Sequence, residues 1–189
     1  RERVARQSLV VGRKGEQSQM KRGRESCNME QAFAAFRSRG ARVKDTTVRF
    51  PAAAVPTEPR EARLLGLYPQ RQKGLWMQRV RVPAGRLTPE QWRALADTAR
   101  RWTPEEPLHL TTRQDVEIHG LTDKTVPLAQ RSLADVGLTG LGGCGDTIRN
   151  VTVCPCSGVA PGVADLQPLA ADITELLQSQ PGAFDLPRK

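Results

Sequence analysis

The sequence is poor in aromatic residues and contains no long apolar run. Aromatic side chains make up 4% and hydrophobic residues 38% of the 189 residues, which is low for a chain packed along its whole length. We therefore predict a compact core in one part of the chain and a poorly ordered remainder. No uninterrupted apolar stretch approaches the roughly 20 residues of a membrane helix, so no membrane partner is predicted. The first residue is Arg1 and no secretory apolar run follows it, which predicts an incomplete N-terminus and cytoplasmic residence.

Histidine and cysteine are also scarce, and their spacing does not suggest a metal site. The four cysteines, Cys27, Cys144, Cys154 and Cys156, form no C-x-x-C pair, and no histidine pair accompanies them at zinc spacing. We predict reduced, partly buried thiols and no metal-binding residue in this chain.

Positive charge is in excess and is unevenly distributed. The formal net charge is +9, and residues 1–25 carry eight basic and three acidic residues, a net of +5. A basic arm can contact nucleic-acid phosphates or dock an acidic protein. No aromatic residue interleaves these charges, so we interpret the arm as a solvated tail and do not expect nucleic acid as a partner.

Residues 1–60 show little periodicity apart from a short helix predicted at 29–38. Pro51, Pro56 and Pro59 predict an extended linker before the pattern sharpens at Gly66. Residues 75–82 read as a strand, with Trp76, Val80 and Val82 on one face and arginines on the other.

Two helices and further short strands are predicted downstream. A capping box at 88–91 starts the first helix, whose inward face would carry Trp92, Leu95, Ala96 and Ala99. Strands around residues 108–110 and 116–118 precede a helix at 125–136, which ends at Gly137. A strand at 148–154, a loop at 158–162 and a last helix from Leu169 to Leu177 follow. The order predicts an α+β fold built on the ferredoxin-like split βαβ motif.

The Gly-rich stretch at 140–146 lacks the Lys-Ser/Thr ending of a phosphate-binding loop, so we interpret it as a flexible turn leading into Arg149. Arg79, Arg81, Arg113 and Arg149 would converge at one end of the sheet. A cluster of unpaired guanidinium groups requires an anion, such as a small oxyanion or a macrocycle with several carboxylates.

Four segments share a recognisable order and spacing over roughly residues 61–189. They are Gly66-Leu67-Tyr68 with Gln70-Arg71 and the following Met77-Gln78-Arg79-Val80-Arg81-Val82-Pro83; Leu110-Thr111-Thr112-Arg113-Gln114 with His119-Gly120; Gly145-Asp146 with Arg149-Asn150-Val151; and Leu186-Pro187-Arg188-Lys189. Together they resemble the opening of the siroheme-dependent nitrite and sulfite reductase family.

The resemblance implies three parts of the chain. Residues 1–60 would be the basic arm and linker, residues 61–138 a ferredoxin-like half domain, and residues 139–189 the truncated start of a siroheme-binding catalytic domain, which would form a partial second α/β segment. The family's enzymes reduce nitrite to ammonia or sulfite to sulfide with six electrons at siroheme joined to a 4Fe–4S cluster. Ferredoxin or a flavoprotein reductase is the implied electron donor.

The resemblance also implies roles for individual residues. Arg79, Arg149 and Lys189 resemble the cationic catalytic groups around the substrate anion, and Lys189 is the better candidate for proton delivery because a lysine pKa can shift. The residues that resemble siroheme-binding positions are Thr111, Arg113, His119, Asn150 and Arg188.

Two positions depart from the family pattern, and the cluster cysteines are absent. His109 stands where some relatives carry arginine, and Glu117 where several carry glutamine, so Glu117 would repel siroheme carboxylates unless it is protonated or paired. Because the cluster cysteines would lie beyond Lys189, we expect a fragment that holds neither cofactor by itself. The alternative is a stand-alone ferredoxin-like module that binds an anion, a tetrapyrrole or nucleic acid.

Overall fold

The computed structural model of the chain describes residues 50–180 and 182–187. The helix predicted at 29–38, the basic arm and Cys27 lie outside the described residues.

A four-stranded antiparallel sheet lies at the centre of the described part. Its strands are β1 (Leu67–Pro69), β2 (Leu75–Val80), β3 (His109–Leu110) and β4 (Val116–Thr122), in the spatial order β1-β2-β4-β3. Strands β2 and β4 form the longest pairing, with a register shift between Trp76 and Gln78. The predicted strands at 75–82, 108–110 and 116–118 are therefore confirmed.

The described residues form four α-helices, α1 (Pro59–Leu64), α2 (Pro89–Trp102), α3 (Val126–Ala134) and α4 (Gln167–Gln178). The predicted capping box of α2 is present, because Thr88 accepts from the backbone N–H of Gln91 and Gln91 accepts in return from that of Thr88. Gly137 adopts φ +73° after α3, as a helix-ending glycine does. Among the described residues, no helix has the length and apolar character that a membrane span requires.

The core lies between one face of the sheet and helices α2 and α3. The buried hydrophobic cluster includes Val80, Val82, Val116, Ile118, Leu95, Val126, Ala129 and Leu133. These residues follow the predicted strand and helix periodicities, which are thereby confirmed. Trp92 does not follow them: it is 45% exposed and lines an open groove with Leu87 and Gln114, so its predicted inward orientation is wrong.

The α+β class with a ferredoxin-like half domain is confirmed, but the strand predicted at 148–154 is wrong. Its backbone bonds outside the sheet: Ile148 N donates to Ala183 O (2.9 Å), and Val151 O accepts from Ala84 N (3.1 Å). Within the described residues from 139 onward there is α4 but no strand. After α3, an isolated antiparallel bridge joins Thr139 to Arg81, nine residues before the predicted strand begins.

The linker interpretation is also wrong at Pro59, which begins α1 and is followed by the buried Ala62 and Leu64. Proline is favoured at the first position of a helix because the missing N–H has no helical partner there. Helix α1 spans the predicted domain boundary at residue 60. The three-residue β1 was not predicted, because so short a segment carries no readable alternation.

A chain of buried amides ties the segment before α1 to the sheet. Gln78 and Gln130 are both fully buried. Gln130 Nε2 donates to Gln78 Oε1 (2.7 Å), and Gln130 Oε1 accepts from Ala52 N (2.9 Å). Gln78 Nε2 in turn donates to Leu65 O (2.8 Å). Gln78 Nε2 also donates to Arg79 O (2.9 Å), so both of its amide protons have acceptors within the protein.

Replacing Gln130 by leucine should lower the free energy of unfolding by about 1–3 kcal/mol, because Gln78 Oε1 and Ala52 N would lose their buried partner. Urea unfolding of the 189-residue chain measures the change. The matched control is Gln180→Leu, an exposed position at which a change within about 0.5 kcal/mol is expected. Equal effects of the two substitutions would show that the amide chain does not stabilise the fold.

Candidate functional site

The face of the sheet opposite the core carries charged and polar side chains. Arg79 projects there from β2 and Arg81 from just beyond its end, and Glu117 and His119 project there from β4, as the predicted alternation requires. Glu117 pairs across the strands with Arg79 on one side and with His109 of β3 on the other. This register places the carboxylate between an arginine and a histidine.

Arg79 is an ion-paired arginine. Its Nη2 and Nε donate to Glu117 Oε1 at 2.6 and 2.9 Å, and the second oxygen, Oε2, lies 3.2 Å from His119 Nε2. The expectation of an unpaired guanidinium is therefore wrong for Arg79. At the level of the sequence, Glu117 is expected to repel siroheme carboxylates unless it is protonated or paired. The structure pairs it with Arg79.

The contacts of Glu117 also set its protonation. Burial raises the pKa of its carboxyl group, but hydrogen bonds from Arg79 and His119 outweigh burial and hold the pKa below its ordinary value. Glu117 is thus a carboxylate near neutral pH and compensates much of the positive charge of Arg79.

Arg81 is buried, with 2% of its surface exposed. Its Nη1 donates to the carbonyls of Ile148 (3.0 Å) and Gly142 (3.3 Å), and its Nη2 to that of Arg149 (3.1 Å). With its amide oxygen facing Arg81, Gln178 accepts from Nη1 (3.0 Å) and Nε (3.1 Å). Burial lowers the pKa of Arg81, an effect that nearby Asp115 partly offsets. Arg81 therefore holds the loop at 142–149 against the sheet, and its predicted convergence on an anion is wrong.

The Gly-rich stretch is a tightly packed turn, which corrects the flexible turn predicted for it. A Cβ at Gly140 would overlap Gln78 Nε2 and the carbonyl oxygen of Leu65. Thr147 Oγ1 donates to the carbonyl of Gly142 (2.9 Å) and closes the turn. Only glycine allows the backbone to approach the sheet this closely.

Two predicted catalytic residues converge at this turn. Arg79 Nη1 and Arg149 Nη1 lie 3.4 and 3.3 Å from the same acceptor, the carbonyl oxygen of Gly143. They come from segments 70 residues apart in sequence, and Arg81 holds the backbone of the second. The neighbouring Cys144 is buried, and burial raises the pKa of its thiol to about 11, although both arginines lower it.

Three predicted cofactor-binding residues lie around the turn between β3 and β4. Thr111 Oγ1 accepts from the backbone N–H of Arg113 (3.2 Å) and of Asp115 (3.0 Å). Asn150 Nδ2 donates to the carbonyls of Arg113 (2.9 Å) and Val82 (2.7 Å). Both amide protons of Asn150 are thus directed to backbone, and its buried Oδ1 has no hydrogen-bond partner among the described residues.

Two site residues were missed by the sequence reasoning. Gln70 Oε1 accepts from Gly120 N (2.7 Å), and Gln70 Nε2 donates to His119 Nδ1 (3.3 Å), so Gln70 orients the imidazole. Asp115 accepts from Val82 N (3.1 Å) beside Arg81. No periodic signal marked either residue, because each acts through a contact between distant segments.

The remaining predicted residues have separate outcomes. Arg188 and Lys189 lie outside the described residues. Cys154 and Cys156 are free and exposed, so the prediction of partly buried thiols is wrong for them, whereas Cys144 is buried and free.

Comparisons of the sequence and the structure with known proteins match this chain to nitrite and sulfite reductases. The model of the nitrite/sulfite reductase ferredoxin-like half domain matches residues 68–136. A chloroplastic ferredoxin–nitrite reductase of Arabidopsis thaliana is 36% identical over 132 residues, which are 66% of this chain and 22% of the relative. Residues 68–136 therefore carry the ferredoxin-like half domain of the nitrite/sulfite reductase family.

Other members of the nitrite/sulfite reductase family extend the match. The NADPH sulfite reductase subunit beta of Schizosaccharomyces pombe is 46% identical over 77 residues, 41% of this chain and 5% of the relative. The NirA protein of Mycobacterium tuberculosis superposes with a TM-score of 0.61 and 29% identity, over 68% of this chain and 27% of that one. The chain thus spans less than a quarter of the two curated relatives.

The Arg79–Glu117 pair predicts a measurable pH dependence. Because the folded-state pKa of Glu117 is lowered, the stability that this carboxylate contributes is present above its unfolded pKa and is lost as pH falls through the folded pKa. Unfolding measured between pH 6 and pH 3 should therefore show a steeper loss of stability in the parent chain than in Glu117→Gln. In Arg79→Ala the pKa of Glu117 should rise, because the arginine that lowers it is lost while burial, which raises it, is retained. Carboxyl NMR measures this pKa. An unchanged pKa in that variant would contradict the pairing.

Proposed function

We propose that this chain supplies the half domain and the beginning of the siroheme domain of an enzyme that reduces nitrite to ammonia or sulfite to sulfide. The observation that carries the proposal is the convergence of Arg79 and Arg149 on the carbonyl of Gly143. Two guanidinium groups from distant segments form a cationic site suited to a small oxyanion. Ferredoxin or a flavoprotein reductase would donate the electrons, and the cytoplasm remains the proposed location.

The two arginines contribute unequally to this proposed anion site. Glu117 compensates much of the charge of Arg79, whereas the hydrogen bond of the Arg149 side chain within the described part of the chain goes to the uncharged carbonyl of Gly143. Arg149 therefore supplies most of the positive charge, and Arg79 supplies a donor whose direction Glu117 determines. Lys189 and Arg188 are proposed to complete the site, with Lys189 delivering protons.

The donor set around the β3–β4 turn suits an acidic macrocycle. Siroheme and its cluster, when bound, would supply the electron path and the iron that holds the substrate. The exposed guanidinium of Arg113 and the hydroxyl of Thr111 can donate hydrogen bonds to macrocycle carboxylates. Asn150 acts indirectly, since its N–H groups hold the backbone of Arg113 in place. His119 is held in orientation by Gln70 and Glu117.

The function is tested on the complete gene product that contains this sequence. We expect it to carry siroheme, visible by absorption, and to reduce nitrite or sulfite with reduced methyl viologen as donor. Absence of both siroheme and activity would refute the proposal. Tetrapyrrole binding by the 189-residue chain alone, without activity in the longer product, would favour the stand-alone module.

Substitutions in that enzyme separate anion contact from cofactor contact. Arg149→Ala and Arg79→Ala should lower turnover per siroheme by about ten- to hundred-fold, since a charge-assisted hydrogen bond contributes roughly 1.5–3 kcal/mol. Arg113→Ala should lower siroheme content first. The control Arg100→Ala removes an exposed arginine of α2 and should change neither quantity. Full turnover per siroheme in Arg149→Ala would exclude the anion role.

A further inference from the structure

The only two histidines of the chain lie together on the polar face of the sheet. The imidazole rings of His109 and His119 have centroids 4.5 Å apart, and Glu117 lies beside both. One ligand atom from each of the three residues lies within 4.8 Å of those from the other two. Two of the three residues, His109 and Glu117, are the positions at which the chain departs from the family pattern.

The backbone explains why these side chains converge. Glu117 and His119 are two residues apart on β4 and therefore point to the same face, while His109 is the direct cross-strand partner of Glu117. The ligand atoms around a tetrahedral zinc ion are about 3.4 Å apart when the metal–ligand bonds are about 2.1 Å. Glu117 Oε2 and His119 Nε2 already lie 3.2 Å apart. His109 is exposed on the short strand β3, so its ring can turn to complete the set.

We propose that His109, Glu117 and His119 form a binding site for a divalent transition-metal ion. Two imidazole nitrogens and one carboxylate oxygen suit zinc, cobalt and nickel better than calcium or magnesium, which prefer oxygen ligands. Three protein ligands leave a coordination position open to water.

Arg79 and Gln70 contact the proposed metal ligands, orient them and limit the affinity of the site for a metal ion. Arg79 holds Glu117 Oε1, which directs Oε2 towards the histidines, but its positive charge opposes a bound cation. The metal would replace the proton on His119 Nε2, so the ring would carry its proton on Nδ1. Gln70 now points its Nε2, a donor, at Nδ1. To accept the Nδ1 proton, the amide of Gln70 would have to turn and give up the bond that its oxygen accepts from Gly120 N. A carboxylate at position 70 would accept that proton without turning.

Zinc binding by the purified 189-residue chain tests the proposal, with isothermal titration calorimetry as the measurement. We expect one Zn²⁺ per chain and a loss of affinity of about ten-fold or more in each of His109→Ala, Glu117→Gln and His119→Ala. Gln70→Glu should tighten binding by about ten-fold, because a carboxylate partner stabilises a metal-bound imidazole. Glu175→Gln, an exposed carboxylate on α4, is the matched control and should bind zinc like the parent.

Cysteine thiols are competing zinc ligands, so the titration is repeated in a Cys27→Ser/Cys154→Ser/Cys156→Ser background. Retained binding there supports the histidine site, whereas loss of binding with the cysteines overturns it. Proton NMR gives a second readout, in which both imidazole signals should shift together as zinc is added. Unshifted imidazoles, or unchanged affinity in the His109 and Glu117 variants, would also overturn the proposal. Thermal unfolding without metal establishes that each variant is folded.

Discussion

A buried guanidinium is the constraint on which the rest of the site depends. Arg81 is removed from water, so its donors must be satisfied inside the protein, and the carbonyls of Gly142, Ile148 and Arg149 satisfy them. A buried cation without these acceptors would be strongly destabilising. The loop at 142–149 is therefore tied to the residue that follows β2, and the side chains of Arg149 and Arg79 meet at the carbonyl of Gly143.

Glycine makes this arrangement sterically possible. Gly140 lies against Leu65 and Gln78 where any Cβ would collide, and Gln78 continues through Gln130 to the backbone of Ala52. The buried amide chain on one side of β2 and Arg81 on the other thus hold the strand from both faces. The polar face that results is held by buried hydrogen bonds, which suits a site that must orient an anion, a macrocycle or a metal ion.

Charge on that face is balanced within the protein. Glu117 accepts from Arg79, faces His119 and is the cross-strand partner of His109. One carboxylate thereby lowers the net positive charge available to an anion and supplies an oxygen suited to a cation. The proposed anion site and the proposed metal site meet at this residue, so substitutions of Glu117 affect both.

Sequence by itself determined the features that depend on neighbouring residues. The capping box at Thr88, the buried faces of β2, β4, α3 and, apart from Trp92, α2, and Gly137 after α3 were predicted, because helix and strand periodicities and caps are local. The family resemblance indicated which arginines are candidates for the functional site. Tertiary structure alone decided which arginine is paired, which is buried and which can meet a ligand, and it replaced the strand at 148–154 by a segment bonded to loops. Such outcomes depend on contacts between residues dozens of positions apart, which no local pattern specifies.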